Sequence, residues 1–259
     1  MKQMIGALLI PHASEEYAGE CRYHAFSKIK YPLSVRYIIY IAALHSINDT
    51  DTILDLYCDS DFDHNFRSSL RTITEKEHHK GNRFKQEHSF EWVHDELDNY
   101  FPNASLFVVA PNRGVKRRLS QWTISFVKTH PKTLVIGTTD LIHYGDQYGT
   151  TGSLGKNVQS NKEELELSFI GLLTSPTPNL PQIQRFIEQY PMIACGSKAV
   201  IELSKITKGL GLKGEMVDYY DSSRYDNSES FVSYVSIVYS KYLKRRSYRK
   251  KYNRNKRYI

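Results

Sequence analysis

The sequence predicts an α/β fold, a single domain with a central mixed β-sheet flanked by helices. Short apolar runs rich in Ile, Val and Leu recur along the chain, and segments of helical spacing separate most of them. The chain also has 259 residues, 40% hydrophobic and 24% charged, which is ordinary globular composition and enough length to bury one sizeable core.

Taken in order, Ile5–Ile10 is an apolar run that stops at Pro11, as a buried strand does. Residues 17–29 have helical spacing, and Tyr37–Ala43 (YIIYIAA) is rich in β-branched and aromatic residues, as strands are. Ile53–Tyr57 reads as a further strand, and the polar stretch 75–87 as a loop. Ser89–Tyr100 reads as a helix capped by Ser89 and ending before Pro102. A strand over Leu106–Ala110, a helix over 115–129 and a strand over Leu134–Gly137 follow. Helices are expected near 162–173, 180–189 and 196–207, then strands near 214–220 and 231–239. The glycines of GTTGSLG follow no strand, so they read as a flexible loop and not as a phosphate-binding fingerprint.

Composition narrows the class. Cys21, Cys58 and Cys195 are too few and too scattered for a disulfide framework. No apolar run approaches the ~20 residues of a membrane span, and the opening apolar stretch is short for a secretory signal. The expectation is a cytoplasmic protein with reduced thiols, no signal peptide and no transmembrane segment. The net charge of +7 is uneven: residues 241–259 hold ten Lys or Arg and no acid, leaving 25 basic against 28 acidic residues before them. Residues 1–240 therefore read as the domain and 241–259 as a basic, Tyr-rich tail expected to be disordered. In that tail Lys244, Arg245, Arg246, Arg249, Lys250 and Lys251 are candidates for non-specific binding of nucleic acid or another polyanion.

Groups that carry chemistry fall where strands end, as they do in open α/β sheets. His12 follows the first strand and His45 the second, and neutral imidazole is the commonest metal ligand, although a lone histidine is more often a surface or capping residue. Asp140 and His143 flank a turn after the Leu134–Gly137 strand; they suit proton transfer, or else a helix cap with an incidental histidine. Glu87, His88 and Glu91 in EHSFE sit at a helix start, where a solvated charged turn is the plainer reading. Cys195 stands just before a predicted helix, where a thiol has a lowered pKa, though an inert buried cysteine is commoner.

In order and content these segments resemble the Memo family. PHASEEYAG resembles its PHAGYxYSG segment at Pro11, His12, Ala13, Tyr17 and Gly19, and ALHS stands where the family has GPSHH. EHSFE matches EHSxE, and TTDLIHYG matches SSDLSHYG at Asp140, His143, Tyr144 and Gly145. ACGSKAV matches CGxxPI at Cys195 and Gly196, and YDSS and ESFVSYVS match the closing segments. Ser14 replaces a glycine, Ala42-Ala43-Leu44 replaces GPS, and Ser46 replaces a second histidine.

The resemblance implies the fold of the class III extradiol dioxygenases, whose non-haem metal opens catechol-type rings. It implies His12, His45 and Cys195 as ligands of an iron or copper ion, Asp140 and His143 as acid–base groups, and Tyr17, Glu87, His88, Glu91 and Tyr144 around the pocket. A redox metalloprotein, an enzyme of dioxygenase type, is the leading expectation. The rival is an adaptor or binding module that accepts a peptide or small molecule in the same pocket without turnover. A metal-assisted hydrolase is the third.

Overall fold

The apolar residues of the central strands alternate between two buried sides, so helices must cover both faces of the sheet. The computed structural model describes residues 2–45, 56–58, 87–111, 118–225 and 228–243. Its strands are β1 (Lys2–Ile10), β2 (Tyr37–Ile41), β3 (Leu56–Cys58), β4 (Ser105–Val109), β5 (Thr133–Thr138), β6 (His143–Tyr144), β7 (Lys213–Asp221) and β8 (Phe231–Leu243). Its helices are α1 (Glu15–Ser27), α2 (His88–Tyr100), α3 (Arg118–Thr129), α4 (Val158–Thr174), α5 (Leu180–Gln189) and α6 (Ser197–Leu210).

The sheet order is β3-β4-β2-β5-β1-β8-β6, with β7 also on β8. The four central strands β4, β2, β5 and β1 are parallel, whereas β3 joins β4, and β8 joins β1, β6 and β7, antiparallel. On one face Leu8, Ile10, Ile38, Tyr40, Val108 and Ile136 pack beneath α1 and α2. On the other, Leu9, Ile39, Ile41, Phe107, Val109 and Val135 pack beneath α3 to α6. This is the mixed, helix-flanked α/β sheet that the sequence predicts.

Several elements differ in detail. The third predicted strand appears as Leu56–Cys58, while residues 53–55 and residues 75–86 of the predicted loop 75–87 lie outside the described residues. The helix predicted over 115–129 is described from Arg118. Strand β6 has only two residues, too few to leave a pattern in the sequence. Gly149, Gly152 and Gly155 take φ values of 65°, 82° and 68°, so GTTGSLG forms successive left-handed turns. Strand β8 runs to Leu243, beyond the predicted domain end at 240, because Lys241, Tyr242 and Leu243 pair with Met4, Gln3 and Lys2. The tail residues Lys244 to Lys251 lie outside the described residues. Among the described residues, no helix is long and apolar enough to cross a membrane.

Candidate metal centre

Three parallel strands deliver the central groups. His12 lies two residues past β1, His45 four past β2 and Asp140 two past β5. Strand β5 lies between the other two, so their carboxyl ends converge. His88 opens α2, and Cys195 comes two residues before α6. A hydrogen bond from the His12 backbone N–H to Asp140 Oδ1, 2.8 Å, ties the β1 and β5 turns together.

The ring orientations follow from hydrogen-bond inventory. The Thr138 hydroxyl donates its one hydrogen to the Ile10 carbonyl at 2.9 Å. Its contact of 3.0 Å with His12 Nδ1 is therefore donated by the ring, which leaves the lone pair on Nε2, the atom that faces Cys195 Sγ. His45 Nδ1 lies 2.9 Å from Glu87 Oε1, and an ionised carboxylate only accepts, so the lone pair of His45 is likewise on Nε2. Glu87 is fully buried and also accepts from the backbone N–H groups of His45 (2.9 Å) and Ser89 (3.2 Å). Carboxylate or hydroxyl partners on the far ring nitrogen are how proteins aim histidines at metals.

Burial holds the His12 imidazole well below its usual range, and the neighbouring His45, His88 and His143 rings lower it further. Burial also lowers His88 and His143, the latter against the pull of Asp140. These rings are neutral near pH 7, the form that ligates metals. Burial raises the Asp140 carboxyl, opposed by His143 and by the backbone N–H groups of His12 and Ala13.

Cys195 overturns one expectation. Its position before a helix suggests a lowered pKa, but burial pushes the thiol up, and the Asp140 charge adds to this. Desolvation of the thiolate outweighs the helix terminus because Sγ is boxed in. It accepts from the Asp140 N–H at 3.3 Å and lies 3.3 Å from His12 Nε2.

Among the described residues, potential ligand atoms within 4.8 Å of one another form two sets: His12, His45 and His88, and His12, Asp140 and Cys195. The expected His12, His45 and Cys195 are all present, but His45 and Cys195 fall into different sets joined by His12. The donors fit a transition-metal ion, being mainly imidazole nitrogen with one sulfur and one carboxylate. His143 Nε2 is buried without a hydrogen-bond partner, 3.9 Å from Asp140 Oδ2, which leaves room for a further polar contact.

A family model described as "Memo-like protein" matches residues 1–238. The chain belongs to the Memo-like family. No curated protein matches it. Several of the Memo-like motifs line a cavity of about 460 Å³, within the ~300–1,000 Å³ usual for small-molecule sites, while His45 and Cys195 are not among its lining residues. Its walls include His12, Tyr17, His88, Asp140 and His143, and also Trp92, Tyr148 and Tyr234.

Three residues near that rim are placed as follows. Ser89 is not the cap of α2, since Glu87 caps it by accepting the Ser89 N–H, while the Ser89 hydroxyl donates to the Ala43 carbonyl. Glu91 points into solvent on the first turn of α2 and is not among the lining residues. Tyr144 stacks on Phe231 at 5.2 Å between ring centroids and packs against the core instead of the cavity. Trp92 and Tyr148 carried no signal in the sequence beyond their residue type, while Thr138 and Tyr234 fall inside matched segments that do not reveal their roles.

Gly196, the N-cap of α6, has a steric role that the motif match does not explain. A Cβ there would lie 2.2 Å from the Thr138 carbonyl oxygen. Gly196→Ala is expected to push Cys195 and α6 off β5 and to cost about 1–3 kcal/mol. Denaturant unfolding measures this, and an unchanged midpoint would show that the close approach is unimportant.

Proposed function

We propose that this Memo-like protein binds a redox metal ion, iron or copper, in the histidine-rich pocket and is a metal-dependent oxidoreductase. The observation that carries the reading is the pair of aimed rings: Thr138 and Glu87 occupy Nδ1 of His12 and His45, which leaves Nε2 of each ring as the acceptor nitrogen, that of His12 facing Cys195 Sγ at 3.3 Å. His12 and His45 supply two nitrogen donors, and the family resemblance adds the Cys195 sulfur. Such an ion, when bound, supplies electron transfer and polarises what it contacts.

The chain's own groups do the rest. Asp140 anchors the His12 turn through the backbone N–H, and its Oδ2 lies 3.9 Å from His143 Nε2, a separation that one small movement closes for proton transfer. Tyr17, Trp92, Tyr148 and Tyr234 give the cavity aromatic walls, and Ser14, Ser222 and Ser230 add polar groups that orient a ligand. The same walls support a second reading, in which a small molecule or peptide is held without turnover.

Elemental analysis of the purified protein is expected to find iron or copper, or to find one ion per chain binding at micromolar concentration. Free metal at 100 times Kd should add about 2.7 kcal/mol of stability and raise the thermal midpoint, and a chelator should reverse the rise. A protein that carries neither ion, and takes up none at micromolar concentration, would refute the reading.

A further inference from the structure

We infer that Glu166, on the buried face of α4, is a positioning residue that sets His143 against Asp140 in the cavity wall. The inference rests on the proton-transfer role given to that pair above. The segment between β5 and β6 has no ladder of its own, so each of its backbone N–H groups needs a partner elsewhere. Thr139 donates to the Ile10 carbonyl of β1 at 3.0 Å, Asp140 to Cys195 Sγ at 3.3 Å, and Leu141 to the Ser233 carbonyl of β8 at 2.8 Å. The next N–H, that of Ile142, meets a carboxylate: Glu166 Oε1 accepts it at 3.1 Å.

Glu166 is fully buried, and both of its oxygens are engaged. Oε2 accepts the Tyr219 hydroxyl of β7 at 2.5 Å. Accepting at both oxygens suits the ionised carboxylate. Burial raises the Glu166 carboxyl, while the Tyr219 hydroxyl and the Lys162 charge favour its ionised form. Lys162 lies one turn earlier on the same buried face and is paired with Asp221 at the end of β7. Asp221 in turn accepts the Ser223 N–H at 3.0 Å, which fixes the short turn carrying Ser222, another cavity residue.

The other buried residues of α4 are apolar: Phe169, Ile170 and Leu173. Its two buried charges are therefore spent on the segments that wall the cavity. A helix that only packed against the sheet would bury apolar groups there too, because an enclosed charge is costly unless its partners are all in place. Ile142 is gripped from both sides. Its carbonyl accepts the Ser233 N–H of β8 at 3.0 Å, and its N–H goes to Glu166. His143 comes next in the chain, with Nε2 3.9 Å from Asp140 Oδ2. Glu166 thus acts on the pair through the backbone of a residue that lies between them.

The test is NMR of the histidine ring signals in the full-length, metal-free protein, with His143 assigned by the loss of its signal in His143→Gln. Glu166→Gln keeps the reach and an oxygen for Ile142 but removes the charge, whereas Glu166→Asp keeps the charge and shortens the reach. Positioning through the hydrogen bond predicts a His143 signal unchanged in Glu166→Gln and displaced in Glu166→Asp, with His94 and His130 unmoved in both. A signal displaced equally in both variants would overturn the role. So would an unmoved signal in a Glu166→Asp protein that has only lost thermal stability. Amide hydrogen exchange of the wild-type chain needs no variant: the Ile142 N–H is expected to be protected as well as that of Leu141, and exchange about 100-fold faster would also overturn it. These readings are made without metal. A wild-type protein that binds neither iron nor copper would therefore remove the redox reading and leave the placement of His143 by Glu166 standing.

Discussion

Replacing His12 by alanine is expected to abolish stoichiometric metal binding while leaving the chain folded. His12 is the member common to both ligand sets, so its loss leaves neither with three donors. The fold should survive because the hydrogen bond that joins the β1 turn to Asp140 comes from the His12 backbone, which alanine retains. Removing a residue that merely orients a ligand costs about 10–100-fold in affinity, so removing the shared ligand should exceed that range. Thr138→Val provides the internal comparison. It keeps the ring but deletes the hydroxyl that accepts from Nδ1, and should fall within the 10–100-fold range. Isothermal titration of both variants, with circular dichroism as the folding control, tests the ordering. A His12→Ala protein that still binds one ion with near-native affinity would place the metal elsewhere.

Arg22→Met should produce the largest loss of stability. The Arg22 side chain is fully buried, with Nε 2.8 Å from Glu96 Oε2 and a second, shorter contact from Nη2 to Oε1. Nη1 donates to the Ala13 carbonyl at 2.6 Å and, more distantly, to the Pro11 carbonyl at 3.5 Å. One guanidinium thus links α1, α2 and the carbonyls of the two residues flanking His12. Methionine fills much of the volume but leaves the Glu96 carboxylate and both carbonyls without their donor. Breaking a buried pair from one side typically costs about 3–5 kcal/mol. Urea unfolding should show that drop, and Arg22→Met with Glu96→Leu should regain part of it by removing the stranded charge. A single variant within about 1 kcal/mol of wild type would mean that the clamp does not hold the turn.

The contrast between these two residues shows what the sequence makes legible. Strands β1, β2, β4 and β5 are readable because burial on both faces gives nearly unbroken apolar runs. His12 and His45 are readable as candidates because each follows such a run. Arg22 is not, since its partner Glu96 lies 74 residues away and nothing local distinguishes it from a solvated arginine. Thr138 looks like any strand threonine. Ser89 looks like a cap, and loses that role to Glu87 because one carboxylate serves both the helix end and His45. The partition of ligands into two sets depends on where α2 and α6 begin in space, which motif order does not encode.

Strand β8 pairs Leu243 with Lys2 and Ile237 with Leu9, so the sheet joins segments far apart in sequence. This has a consequence for biosynthesis. While the early segments have emerged from the ribosome and β8 has not, β1 offers an open edge of peptide groups just before the His12 turn, a template for wrong pairing. Closure over so long a separation is slow compared with the local packing of α1 or α2. The turn that carries His12 is thus synthesised early, and the strand that covers the β1 edge beside it arrives late.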